Sequence, residues 1–427
     1  MNMDYIVVPA PQIVFGLAAF IFLVFYVFKI NIDWLNKTVL AVAAIVAIVA
    51  AVFTYLYSAD AEAFSNGLIA RRVGLFVFFM MAFLVLFSLK FNKFSEYFFL
   101  SISSFMFIFA LSLSGSELVI QIVGFFVADI FVILFKEKEI EAEKGLSEGL
   151  LIHKILNFIP TVAFMILFLS NPQDLKIQKL AFNGMIFLLL LTTVGSFYTT
   201  TKRELPRLKQ LFMPTGPLIS FLTVLAQFVI LTFMIMQNQS ILLVPFMSLA
   251  LTLLLLGASF KSVTEEKYAL FVLRDVYLLF FLGLLGVVSS SLTQIQVATY
   301  SGLFILQVAF GLAALSTPNS AKQTMDGVKY SFEKIPDNLN LLLSVIAGLC
   351  AECFMILLIY KNINPNPITH AVLLIGVALY SPALLNKLFT LFSMIKRIKG
   401  SFKSIFNLSS LIMLLFFSMA LVMLYKW

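Results

Sequence analysis

Reactive polar chemistry is scarce in this chain. Its 427 residues include only two cysteines and two histidines, and 12% of them are charged. So few thiols exclude a disulfide framework. So few imidazoles and thiols, with no His or Cys cluster, leave no visible residues for hydrolytic or redox chemistry within the chain. The cysteines fall in the stretch CAEC, as Cys350 and Cys353, without a histidine nearby. Two ligands make a poor metal site, and small apolar packing is expected for both. A glycine-rich loop that could cradle phosphate is also absent. What is present is apolar: 61% of residues are hydrophobic, and the mean hydropathy is +1.04. A soluble domain does not have this composition; it predicts an integral membrane protein.

Fourteen apolar segments are each long enough to cross about 30 Å of hydrocarbon as a helix. The first covers 11–29 and the last 404–425; those that carry the argument below are 178–199, 216–237, 268–289, 296–316, 339–360 and 370–395. The start, MNMDYIVV, lacks the basic region of a cleavable signal, so the first segment is expected to stay. Connections between segments are too short for an extramembrane domain, which predicts a single membrane domain over 1–427. Most of the 29 Lys and Arg lie in the odd-numbered connections. The positive-inside rule then puts those connections on the cytoplasmic side and both termini opposite. The net charge of +8 is accordingly a topology signal, and nucleic acid is not an expected partner. The mixed-charge stretch 136–154, KEKEIEAEKGLSEGLLIHK, reads as a solvated helix face in one such connection.

Four stretches together resemble one family. In SEYFFLSISSFMFIFALSLSGSELVIQIVGFF (95–126), Glu96, Tyr97, Leu100, Ser104, Glu117, Leu118 and Gly124 fill a pattern found in the antiporter-like membrane subunits of respiratory NADH:quinone oxidoreductase, complex I. The subunit most resembled is subunit N. PTGPLISFLTVLAQ (214–227) is similar to the entry into that subunit's eighth helix, with Gln227 where the family has a lysine. TEEKYALFVL (264–273) resembles the turn that starts its tenth helix, with Lys267 at a lysine position. MDGVKYSFEKIPDNLNLLLSVIAGL (325–349) resembles the linker and entry to helix twelve through Asp326, Gly327, Pro336, Leu343, Ser344, Ala347 and Gly348. The resemblance implies an all-α fold of about fourteen helices, with helices seven and twelve discontinuous. Such breaks are tolerated at membrane depth only where they line a hydrated or protein-filled interior. It also implies N-terminal helices over 1–114, a first helical repeat over 115–260, a second over 261–395, and a last helix over 396–427.

In that family protons move along a file of buried lysines and glutamates. An ionisable group in hydrocarbon costs several kcal/mol unless paired or hydrated, so it is kept where transport needs it. Here the file is interrupted. Phe126 stands at the helix-five glutamate position, with Asp129 one turn further along; Asp129 either substitutes for it or is satisfied by a neighbouring subunit. No lysine lies between Gly195 and Thr199, and Lys202 and Arg203 come only at the helix end. Gln227 and Gln307 can hydrogen-bond water but cannot hold a transferable proton at ordinary pH. Glu352 remains as an acid in segment twelve, with Leu357 at the nearest match to the family's lysine. Alone in hydrocarbon it would be neutral and merely hydrogen-bonded. The relay candidates are thus Asp129, Gln227, Lys267, Gln307 and Glu352. Secondary candidates are Glu117, Lys202, Arg274, Asp275 and Lys387. Arg274 and Asp275 are adjacent, so they do not share a helix face and are expected to pair with other helices or lie near the interface. Lys387, near Pro382, is expected to snorkel or line a break.

These features imply a subunit of a respiratory membrane arm, multi-pass in the cell's inner (plasma) membrane, that pumps protons or, given the interrupted file, only scaffolds the arm. Flavin, iron-sulfur clusters and quinone would be held by partner subunits and no cofactor by this chain, so any enzyme activity belongs to the assembly. The alternatives are a stand-alone secondary transporter, a lipid-linked saccharide flippase, or an antiporter-like subunit of a related hydrogenase or sodium/proton antiporter complex. An antiporter acting alone would need facing acids, for which Asp129 and Glu352 are the candidate pair.

Overall fold

The computed structural model describes residues 10–30, 32–57, 78–86, 89, 96–114, 144–171, 173–199, scattered positions from 224 to 235, 268–315, 339–362 and 367–397. The regular elements in these stretches are helices: α1 (Ala10–Val27), α2 (Asp33–Tyr57), α3 (Glu96–Ser114), α4 (Lys144–Ser170), α5 (Leu175–Thr199), α6 (Tyr268–Ser289), α7 (Gln294–Leu315), α8 (Leu339–Lys361) and α9 (Pro367–Arg397). Among the described residues, Asp33–Val52, Leu175–Thr192 and Asn340–Lys361 are long and apolar enough to cross a membrane. Large apolar side chains cover the outside, among them Phe20, Phe28, Leu156, Leu180, Tyr360 and Phe389. That surface suits hydrocarbon and not water, and the protein is membrane-embedded.

The chain divides into two compact units. The first spans Met1–Thr199 with Leu218–Met234 and contains α1 to α5. On α2 a stripe of Leu40, Ala43, Ala44, Ala47, Ile48 and Ala51 is buried, small enough for its neighbour α1 to approach closely. α1 also packs on α3, where a Cβ added at Gly16 would come within 2.9 Å of the Phe107 ring. Aromatic rings fill the seam: Phe15 meets Phe78 edge to face at 5.8 Å, and Phe22 lies 5.6 Å from Phe99. α1 ends in a Schellman turn with Lys29 in the left-handed region, the Ile30 N–H donating to Phe25 C=O and the Lys29 N–H to Tyr26 C=O. α4 begins at Lys144, well before the apolar segment, so part of the mixed-charge stretch is helical as read. α5 packs along α4 and is capped by Asp174, whose Oδ1 accepts the N–H groups of Lys176 and Ile177.

The second unit spans Thr200–Pro217 with Ile235–Trp427 and contains α6 to α9. Beyond Asp275, α6 is apolar on every side, and each residue from Asp275 to Ser289 is buried. A helix with no polar face belongs at the centre, and α7, α8 and α9 all pack against it. α7 starts in a capping box: the Thr293 N–H donates to Gln296 Oε1, and the Gln296 N–H donates to Thr293 Oγ1. α8 and α9 share a leucine seam of Leu341, Val345 and Leu349 with Leu384, Leu388 and Leu391.

α5 and α8 correspond to segments seven and twelve, and both run unbroken over the described residues; 200–223 after α5 and 316–338 before α8, where the prolines and the linker of the resemblance fall, lie outside them. Pro382 likewise sits inside an unbroken α9. The polar groups in the core of the second unit come from side chains, so no opened backbone is needed to supply them.

A buried charge cluster in the second unit

The site follows from helical spacing. On α8, Ser344, Gly348 and Glu352 recur every four residues and face inward, whereas Cys350, Cys353, Leu357 and Tyr360 lie on the opposite, exposed face. The cysteines are free and outward-facing, which corrects their expected place in the packing. On α9, Leu373, Tyr380, Ala383 and Lys387 form the inward row. α6 contributes Asp275, and α7 contributes Tyr300 and Gln307, two turns apart.

These rows converge on one lysine. Lys387 Nζ pairs with Asp275 Oδ1 on one side and with Glu352 Oε1 on the other. All three side chains are almost fully removed from the surface, at 2%, 3% and 0% exposure. Each acid has a neutral donor as well: the Gln307 amide donates to Asp275 Oδ2, and the Tyr380 hydroxyl donates to Glu352 Oε1. Ser344 in turn donates to the main-chain carbonyl of Gln307 at 3.0 Å. The Tyr300 hydroxyl is committed to the Leu279 carbonyl on α6, one turn beyond Asp275. Four helices are therefore joined by polar contacts inside an otherwise apolar bundle.

Moving ions from water to such an interior costs several kcal/mol each, and mutual attraction offsets this only when hydrogen bonds complete the arrangement. Lys387 therefore neither snorkels nor lines a break, contrary to expectation. Retracting it to the surface would leave two carboxylates buried without a cation, and the paired geometry wins. Glu352 is likewise not an isolated acid: Lys387 and Tyr380 both reach its Oε1.

Of the other candidates, Gln227 is buried and belongs to the first unit. Arg274 lies in α6 beside Asp275. Glu117, Asp129, Lys202 and Lys267 lie outside the described residues. Reading the sequence for ionisable groups missed Tyr380, Tyr300, and the roles of Ser344 and Gly348. The spacing held the signal: Tyr380 is seven residues before Lys387, and Ser344 and Gly348 precede Glu352 by eight and four.

Gly348 is what lets α8 lie against the cluster. A Cβ there would stand 3.0 Å from Asp275 Oδ2 and 3.3 Å from Gln307 Cδ. The carboxylate is pinned by Lys387 and Gln307 and cannot retreat without losing a bond. Gly348→Ala is accordingly expected to lower stability by about 1–3 kcal/mol, the usual cost of overpacking, read from thermal unfolding of the purified chain. An unchanged midpoint would show that α8 is free to shift.

A chain of the solved structure of respiratory complex I from Thermus thermophilus with bound aureothin is similar in fold, with a TM-score of 0.52. The match covers 89% of this chain and 98% of that one, at 11% sequence identity. No family model matches the sequence, and no curated protein does. The likeness is one of fold: a membrane-embedded helical chain built like a chain of that complex.

Proposed function

We propose that the protein is a membrane-arm subunit of a proton-translocating NADH:quinone oxidoreductase, most like subunit N. The observation that carries this reading is the buried Asp275–Lys387–Glu352 cluster, set in a fold similar to a respiratory complex I chain over nearly its whole length. The four stretches that resemble subunit N support it independently of the coordinates. Three ionisable groups are costly to hold inside a membrane bundle, and apolar residues would serve packing alone equally well. Their retention favours proton handling over scaffolding. The cluster is the proposed site of that handling, with Gln307 and Tyr380 holding its acids in place. From the sequence alone, Asp129, Gln227 and Lys267 are proposed as further relay groups, with Glu117 and Lys202 as secondary ones.

Partner subunits would carry the flavin, the iron-sulfur clusters and the quinone site, and this chain would bind none of them. The proposed setting is the plasma membrane, with odd-numbered connections facing the cytoplasm. Purification of the tagged protein from its own membranes in gentle detergent, followed by mass spectrometry, tests the reading. Subunits bearing flavin and iron-sulfur clusters are expected to co-migrate. A clean monomer or homodimer would overturn the subunit assignment and favour a stand-alone transporter.

A further inference from the structure

The two acids of the cluster are not equivalent. Asp275 has a donor group at both oxygens: Oδ1 is held by Lys387 as an ion pair, though no hydrogen bond reaches it, and Oδ2 accepts from Gln307. Glu352 receives both of its donors, Lys387 and Tyr380, on Oε1, while buried Oε2 has no hydrogen-bond partner among the described residues. Among the described residues two carboxylates face one ammonium, so three fully ionised groups would leave one negative charge uncompensated by them in an interior almost wholly removed from the surface. A buried charge of that kind is far more costly than a neutral acid. One added proton removes it, and the hydrogen-bond pattern leaves a place for that proton on one atom.

We infer that the cluster holds one proton on Oε2 of Glu352, that Asp275 is the standing anionic partner of Lys387, and that Glu352 is the group that exchanges its proton. Asp275 is poorly suited to the task, because a proton on either oxygen would displace the lysine or the glutamine amide. Glu352 can gain or lose a proton at Oε2 while Oε1 keeps both donors. Among the described residues, the titratable groups facing it from the packed helices are Asp275 on α6, Tyr300 on α7, and Tyr380 and Lys387 on α9. Tyr300 is tied to the Leu279 carbonyl and Tyr380 donates to the acid itself, so neither hydroxyl supplies the compensating charge. This role split rests on the proton-handling reading for its purpose, but not for where the proton sits.

Infrared spectroscopy of the purified full-length chain at neutral pH tests it. A protonated carboxyl gives a C=O stretch distinct from that of a carboxylate. The expected result is a band that moves when glutamate is labelled with 13C at its side-chain carboxyl, does not move when aspartate is so labelled, and vanishes in Glu352→Gln. Tyr380→Phe, which removes one donor to Oε1 and leaves the charges intact, should shift the same band without abolishing it; this keeps the test decisive should the glutamine variant fold poorly. A Glu352-dependent band absent at neutral pH, or a band that follows the aspartate label and responds to Tyr380→Phe, would overturn the assignment. Neither result depends on whether the chain co-purifies with respiratory subunits.

Discussion

Lys387→Met is expected to cost about 3–5 kcal/mol of stability, the range found when one partner of a buried ion pair is removed and the other charge stays behind. Methionine fills similar volume, so the loss is electrostatic and not a cavity effect. Asp275 bears most of it: its Oδ1 loses its cation in the centre of a helix buried on every side. The double variant Lys387→Met with Asp275→Asn should recover most of the loss, because the remaining groups are then neutral and the two effects are strongly coupled. Thermal unfolding of the purified chain in detergent reads both. A single variant as stable as the parent would mean that the lysine reaches the membrane surface and the buried pairs do not form.

How much of this was legible in the sequence depended on whether the signal was local. Membrane embedding followed from composition, and helix positions from apolar runs: segment 268–289 became α6 (Tyr268–Ser289), and 339–360 became α8 (Leu339–Lys361). The likeness in fold to a respiratory complex I chain was anticipated by motif spacing. Each member of the charged trio was singled out, but as separate puzzles. Nothing in one dimension says that position 387 faces positions 275 and 352, because that depends on how three helices are rotated about their axes. The rotation is set by rows such as Leu341, Val345 and Leu349 against Leu384, Leu388 and Leu391, whose residues look alike in any run of leucines. Lys387, near Pro382 in segment 370–395, was therefore expected to snorkel or line a break, and its burial emerged only from the packed bundle. The capping box of Thr293 and Gln296, by contrast, was open to inspection in the string TQIQ.

Glu352→Gln carries the second large effect, and it acts on function and not on the fold. Glutamine has nearly the shape of a protonated glutamate, keeps an oxygen to accept from Tyr380 and Lys387, and leaves Asp275 and Lys387 balanced. Stability is expected to change little, and assembly with partner subunits should persist. Proton transfer should not, because an amide at that position cannot give up and regain a proton at ordinary pH. The measurement that tests the central claim most directly is proton translocation by the native complex carrying Glu352→Gln, reconstituted in sealed vesicles and driven by its electron donor. The account predicts an assembled complex whose translocation through this subunit is lost; translocation at the parent's level, with the variant subunit present in full amount, would contradict it and leave the cluster a structural clasp.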